Sequence, residues 1–181
     1  MGVEINNLAF IYQFEGNIQK AVELYTEAGD FFEKQNTTLG LTGIYINLGN
    51  IYLKNDDLEK AEDFFNKALL YSIKTNQKLI IGNAYLQLGT INSKNNHIEK
   101  AINYFEKASS IYTKDNNYSK IAQVNLGLSN IYYKIKEVES QKDVIEEKQN
   151  EILSSIRYAK RIQQSLMPTE KYIDRVINKK T

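Results

Sequence analysis

The sequence contains no cysteine, a single histidine and a single proline among its 181 residues. The absence of thiols excludes disulfides, thiolate metal sites, iron–sulfur clusters and cysteine nucleophiles. One histidine, His97, cannot build a multi-histidine metal site, so we expect no metal cofactor. With Pro168 as the only proline and nine glycines, the chain has little material for β-turns, which favours long helices.

The charge balance and hydropathy argue against two further classes of partner. Lysine plus arginine (23) nearly cancels aspartate plus glutamate (22), and a net charge of +1 gives no electrostatic reason to expect nucleic acid or an anionic membrane. No apolar run approaches the roughly 18 residues that a membrane span needs. The N-terminus, MGVEINN, lacks the basic start and apolar core of a signal peptide. We therefore expect a cytoplasmic protein.

A repeat with a period of 40 residues organises most of the chain. Leucines recur at Leu8, Leu48, Leu88 and Leu128, each followed by a small residue. Three further columns share the period: Ala21, Ala61 and Ala101; Tyr25, Phe65 and Phe105; Ala28, Ala68 and Ala108. Each unit predicts two helices. In the second unit Ile44, Leu48, Ile51 and Tyr52 fall at i, i+4, i+7 and i+8, and after a polar break a second helical pattern begins at Leu58 and continues through Ala61, Phe65 and Ala68. Small residues facing large aromatic residues are typical of closely packed antiparallel helices.

The polar breaks predict where helices start. Asp56, Asn96 and Gly16 each precede a Glu or Gln by three residues, the spacing of a capping box, which predicts N-caps at these residues. Helix-start chemistry explains the acids at 56–59 more simply than a cation site. We expect His97 to be an exposed residue of a first helical turn.

These residues resemble the tetratricopeptide repeat (TPR) family. Tyr45-x-x-Leu48-Gly49-x-x-Tyr52, followed by Ala61, Phe65 and Ala68, is similar to the family pattern, and the resemblance extends over residues 3–136. The repeat is 40 residues long rather than 34 and lacks the closing proline, which is similar to the long-repeat subgroup of kinesin-light-chain-like and cell-polarity adaptor proteins. The resemblance implies an all-α, right-handed superhelix without catalytic residues, with helix pairs at about 2–36, 38–76, 78–116 and 118–136.

The resemblance also implies a concave groove, lined by the first helix of each pair, that binds an extended peptide or a partner helix. The positions transferred to this chain are Asn50, Asn83, Asn130, Thr90, Ile46, Leu86, Leu126, Lys54, Lys94 and Lys134. Asparagines suit a peptide backbone, and lysines suit an acidic partner. The slots of the basic clamp found in chaperone-tail binders hold the apolar residues of this set, which argues against recognition of a free C-terminal carboxylate. The alternative is that all these positions are simply solvated.

The repeat pattern disappears after about residue 136. The cap slot holds Lys136, which cannot accept a backbone hydrogen bond, and no glycine or proline occurs from 138 to 166. We therefore expect the two helices of the fourth unit to join with little or no turn, and one long helix of about 45 Å over residues 137–167. Ile145, Ile152, Ile156, Ala159 and Leu166 follow steps of 4 and 3 with Gln149 and Gln163, a seam typical of a coiled-coil homodimer. A helix that caps the last repeat is the alternative. The acidic first half and basic second half leave an antiparallel or staggered pairing open.

A second resemblance lies at the end of this helix. The string Ser155-Ile156-x-Tyr158-Ala159-x-Arg161-Ile162-Gln163-x-x-Leu166-x-Pro168 is similar to the linker that precedes SpoIIE/RsbU-like PP2C phosphatase domains in bacterial signalling proteins. It implies that the chain is the regulatory region of a serine/threonine phosphatase, with residues 168–181 leading to a downstream domain that holds the catalytic aspartates. A stand-alone adaptor, or the sensor region of a histidine kinase or transcription regulator, remains an alternative.

The start of the chain also leaves two interpretations open. In the 40-residue register Gly2 corresponds to Thr42, so the first helix lacks the opening turn that the second repeat has at residues 38–41. Either upstream repeats have been removed, or the first helix is short.

Overall fold

The chain is helical throughout the part that the structure describes. The computed structural model describes residues 1–35 and 37–166, which contain seven helices and no strand. The helices are α1 (Gly2–Phe14), α2 (Ile18–Lys34), α3 (Thr38–Lys54), α4 (Leu58–Lys74), α5 (Lys78–Lys94), α6 (Ile98–Lys114) and α7 (Tyr118–Leu166). The predicted all-α class is confirmed. The chain separates into two units, residues 1–132 and the residues from 133 onward.

The 40-residue repeat arises from helices of constant length. Each of α2 to α6 has 17 residues, and successive helices begin 20 residues apart. The three-residue connections at 15–17, 55–57, 75–77, 95–97 and 115–117 share one conformation, in which the middle residue has a positive φ: 83° at Gly16, 60° at Asp56 and Asn96, 54° at Asn76 and 52° at Asn116. Only glycine, asparagine and aspartate adopt this left-handed region readily, which explains the composition of the turns.

The same turn ends one helix and starts the next. The backbone N–H of Asp57 donates to the carbonyl of Tyr52 at 3.0 Å, and that of His97 donates to the carbonyl of Asn92 at 2.8 Å. These six-to-one bonds define a Schellman motif, and its last residue is also the N-cap of the following helix. Such a short connection forces consecutive helices to pack against each other as antiparallel neighbours.

The predicted N-cap positions are wrong by one residue. The N-caps are Asn17, Asp57 and His97, and the side chain of Asp57 accepts a hydrogen bond from the N–H of Lys60 at 3.2 Å. Asp56 instead supplies the left-handed residue of the turn. The capping-box spacing misled because Asp and Asn suit both positions. His97 is exposed as expected, although it is an N-cap rather than a first-turn residue.

The repeat columns form the core of residues 1–132. The alanines of the two alanine columns are fully buried, and so are the aromatic rings of Tyr25 and Phe65. The helices approach closely because glycine faces these rings: a Cβ on Gly49 would lie 2.9 Å from Phe65, and one on Gly89 would lie 2.8 Å from Phe105. The predicted pairing of small residues with large aromatic residues is confirmed.

The seventh helix continues past the position where the turn is expected. The next turn in the 20-residue series would place its left-handed residue at Lys136, a residue that disfavours this conformation. The chain therefore remains helical from Tyr118 to Leu166, for 49 residues. The expected long helix thus begins earlier than residue 137. The tail at 168–181 lies outside the described residues, and within the described part no helix is long and apolar enough to cross a membrane.

Candidate binding pocket

The helices of residues 1–132 form two layers. We call α1, α3, α5 and residues 118–132 of α7 the A helices, and α2, α4 and α6 the B helices. The A helices α3 and α5 contact each other directly, in addition to the B helices beside them. A shallow pocket of about 410 Å³ opens on the A layer, between α1, the start of α2 and the end of α3. Its lining residues are Phe10, Gln13, Phe14, Ile18, Asn50, Ile51, Lys54 and Asn55.

This pocket combines an apolar wall with polar groups at its edge. The rings of Phe10 and Phe14 are 57% and 87% exposed, an unusual exposure for phenylalanine. Across from them, Asn50 is half-buried, and Lys54 is exposed without an ion pair in the described part of the chain. An apolar and aromatic lining with a few polar groups is the general composition of ligand pockets.

Two of the residues that line this pocket belong to the predicted groove set, and two phenylalanines in its lining do not. Asn50 and Lys54, two of the predicted groove residues, line the pocket, and Phe10 and Phe14 stand 40 residues before them. The predicted groove columns cover only the later repeats, at 50, 90 and 130 and at 54, 94 and 134. Extending each column back by one period would have identified both phenylalanines.

The other predicted groove residues differ in how much surface they offer. Leu86 is only 4% exposed and belongs to the core, and Thr90 uses its hydroxyl to donate to the Leu86 carbonyl at 3.0 Å. Asn83 is half-buried, and its Oδ1 is buried without a hydrogen-bond partner among the described residues. The remaining positions are Ile46, half-buried against the core; Leu126 and Asn130, exposed on α7; and Lys134, exposed in the second unit.

The lysine column has a second explanation. Each of α2 to α6 ends in lysine, at Lys34, Lys54, Lys74, Lys94 and Lys114. A cation at this position stabilises the C-terminal end of a helix dipole in either layer. Lys94 also forms an ion pair with Asp56, with 2.7 Å between Nζ and Oδ1. Of the two predicted lysines in residues 1–132, Lys54 is therefore the one without an ion pair in the described part of the chain.

The acidic residues are segregated by layer. The A helices α3 and α5 contain three lysines, Lys54, Lys78 and Lys94, and no Asp or Glu. All acidic residues within helices α2 to α6 lie on the B helices. A second pocket, of about 370 Å³, shows the contrast, because its lining on α4 and α6 includes both Glu62 and Glu99 as well as Lys100 and Lys107. The A surface of the middle repeats therefore carries positive charge that its own helices do not neutralise.

The tyrosines of the array mainly serve its packing. Tyr25 is fully buried, its hydroxyl donates to Gln13 Oε1 at 2.8 Å, and burial raises its pKa to about 12. The Tyr45 hydroxyl donates to Glu33 Oε1 at 2.5 Å, and burial with this acidic partner raises its pKa further. In the residues that the structure describes, no group of three or more His, Asp or Glu side chains is placed to hold a metal ion.

Comparison with known proteins agrees with this repeat. Residues 40–114 match the tetratricopeptide repeat family. Among solved structures, the C-terminal TPR-containing domain of a candidate FK506-binding protein from Plasmodium falciparum is 24% identical with a TM-score of 0.58, and the match covers 75% of this chain and 91% of that one. No curated protein matches the chain.

Two further solved structures share the fold. BtubC from P. vanneervenii is 18% identical with a TM-score of 0.55, covering 75% of this chain and 64% of that one. A candidate kinesin light chain from Podospora anserina with nearly identical TPR-like repeats is also 18% identical, with a TM-score of 0.55 over 71% and 68% of the two chains. The predicted TPR solenoid is confirmed, and TPR repeats indicate a protein–protein interaction module.

Proposed function

We propose that residues 1–132 bind an extended acidic segment of a partner protein on the A surface, with a large apolar side chain of that segment in the α1–α3 pocket. The observation that carries this proposal is the pocket itself, where two exposed phenylalanines stand beside Asn50 and Lys54.

The apolar wall supplies most of the expected affinity. Alanine scanning of interfaces attributes most binding energy to a few large side chains that become desolvated. Phe14 is 87% exposed, so it contributes little to the core and is free to be covered by a ligand. A ligand side chain that covers both rings gains about 1–3 kcal/mol from each by burial of apolar surface.

The charges favour an acidic rather than a basic segment. The A helices α3 and α5 carry lysines without acids, and Lys54 at the pocket has no ion pair in the described residues. A carboxylate near Lys54 would be only partly desolvated, so we expect about 0.5–1 kcal/mol from this pair and a clear salt dependence. The half-buried Asn50 amide offers both a donor and an acceptor to a peptide backbone.

Selection from a random-sequence peptide library displayed on phage tests the proposal. We expect enriched peptides to share one large apolar residue with Asp or Glu close to it. Synthetic versions should bind the Phe10→Ala/Phe14→Ala variant at least tenfold more weakly. Lys54→Gln should weaken them about two- to fivefold, less so at high salt.

Matched variants separate the pocket from general surface effects. Ile73→Ala removes a 54% exposed apolar side chain from the B helix α4, and Lys114→Gln removes the same helix-terminal charge from α6. Both should leave peptide binding unchanged. If the library enriches basic peptides, or if the double phenylalanine variant selects the same peptides as the parent, the proposal is wrong.

We propose further that this module is the regulatory region of a cytoplasmic, bacterial PP2C-type serine/threonine phosphatase. The support is the string from Ser155 to Pro168, with its similarity to the linker before such domains. Sequencing the source transcript through its stop codon tests this. A downstream region with aspartates spaced for a two-metal site supports the proposal, and a stop codon shortly after Thr181 contradicts it in favour of a stand-alone adaptor.

A further inference from the structure

The second unit, from residue 133 to the end of α7, carries an apolar seam that no residue of the described chain covers. Ile145, Ile152 and Ile156 are 57%, 58% and 57% exposed, and Ala159 is exposed as well. The side chain of Leu166, the last of the predicted seam, lies outside the described residues. A single helix in water gains little from such a seam, because most helical stability in proteins comes from packing an apolar face.

The seam has the spacing of a two-helix coil. The residues at Val138, Ile145, Ile152, Ala159 and Leu166 are seven apart, the repeat that imposes a left-handed supercoil. The companion positions, four residues after each, are Lys142, Gln149, Ile156 and Gln163. Three of these four companion positions are therefore polar. The relative orientation of the two helices decides which residues these polar side chains face.

The two halves of this segment have opposite charge. Residues 137–151 contain six acids and two lysines, while residues 152–166 contain Arg157, Lys160 and Arg161 and no acid. One of the two lysines, Lys148, is paired with Glu151 of the same helix, with 2.8 Å between Nζ and Oε2. Parallel pairing in register would set acidic half against acidic half and basic half against basic half, whereas antiparallel pairing would set each against its opposite.

We propose that residues 133–166 pair antiparallel with the same segment of a second copy of this chain, crossing between Asn150 and Glu151. In this register Ile145 packs against Ile156 of the second copy, and Glu139 lies beside the second copy's Lys160. Lys142 meets Ala159 instead of another Lys142, which parallel pairing would bring together at the seam. The proposal is independent of the binding pocket on residues 1–132.

Disulfide cross-linking of the full chain tests the orientation, because the parent has no cysteine. In the proposed register Val138 faces Gln163 of the second copy. Mixing Val138→Cys and Gln163→Cys chains and oxidising them should give a cross-linked dimer of the two variants, and Val138→Cys alone should remain uncross-linked. Two nitroxide labels at position 138 should lie about 37 Å apart along the axis, rather than side by side.

Charge reversal adds a test that does not rely on cysteine chemistry. Glu139→Lys should weaken the dimer several-fold in sedimentation equilibrium at low salt, and adding Lys160→Glu should restore it, because the pair is reversed as a whole. Glu147→Lys is the matched control, since position 147 lies away from the seam and should have a smaller effect.

Each alternative outcome overturns the inference in a recognisable way. Cross-linking of Val138→Cys with itself would mean parallel pairing. A full chain that stays monomeric at about 100 μM would mean that no second copy covers the seam, and that its occupant is a different protein. Peptide binding on residues 1–132 would be unaffected in either case, so the two proposals fail separately.

Discussion

Residues 1–132 and residues 133–166 are both helical, but the aromatic columns of the first region are buried and the apolar seam of the second is exposed. Phe65 and Phe105 are at most 1% exposed, whereas Ile145 and Ile152 are more than half exposed. The difference follows from the turns. Left-handed residues at 16, 56, 76, 96 and 116 turn the chain back on itself, and Lys136 ends the series. An apolar face is covered within the chain where a turn brings back another helix, and otherwise it needs a partner from outside.

The test with the largest expected effect removes one large apolar side chain from each region. Phe105 packs against both Gly89 and Gly127. Phe105→Ala should lower the free energy of unfolding by about 3–5 kcal/mol, measured by urea denaturation and circular dichroism. At a concentration where the chain is monomeric, Ile152→Ala should change it by less than about 0.5 kcal/mol. Comparable losses from the two variants would mean that the seam is already covered within the chain.

A second test adds a methyl group where the array has no space. A Cβ on Gly89 would lie 2.8 Å from Cδ1 of Phe105, while one on Gly43 would have no neighbour within 4 Å. We expect Gly89→Ala to cost about 1–3 kcal/mol through overpacking. Gly43→Ala should instead stabilise the chain by about 0.5–1 kcal/mol, because alanine favours the helix. Thermal unfolding of both variants measures the difference. Equal shifts would contradict close packing at Gly89.

The sequence alone predicts the array well because each repeat has the same packing residues at the same positions. The columns at Ala61, Phe65 and Gly49 each have copies 40 residues away, so pattern and packing agree. The N-caps were misplaced because Asp56 and Asp57 are chemically alike, and only the backbone conformation separates them. Of the residues that line the pocket, the predicted groove set contains Asn50 and Lys54 but not Phe10 and Phe14, which interrupt polar columns. Whether an exposed residue binds a ligand depends on what lies opposite it, which periodicity does not encode.

The turn itself provides a third, smaller test. Asn96 holds a φ of 60°. Asn96→Ala should destabilise the chain by about 1 kcal/mol, because a Cβ without a local polar group disfavours this conformation. Asn96→Gly should be neutral or slightly stabilising, since glycine adopts it without strain. Both are measured by urea denaturation. If the alanine variant is as stable to urea as the glycine variant, the left-handed residue does not determine where the array turns.

The smallest expected effect concerns two buried tyrosines of the array. Burial raises the pKa of Tyr25 and of Tyr112 to about 12. Because each folded-state pKa lies above its unfolded value of about 10, the stability they contribute is complete below pH 10 and is lost as pH rises towards 12. Between pH 9.5 and 11, the free energy of unfolding of the parent should therefore fall by about 1 kcal/mol more than that of a variant that lacks either hydroxyl.

Removing the hydroxyl of Tyr25 and removing that of Tyr112 should have different effects on stability at pH 7. The Tyr112 hydroxyl has no hydrogen-bond partner in the described residues, whereas that of Tyr25 donates to Gln13. Tyr112→Phe should thus be neutral or slightly stabilising at pH 7, and Tyr25→Phe should cost about 1 kcal/mol. Paired urea denaturation at pH 7 and pH 11 measures both quantities on each variant. If Tyr112→Phe were as costly as Tyr25→Phe at pH 7, the Tyr112 hydroxyl would have a partner, and the core of the array would be more polar than its alanine and aromatic columns indicate.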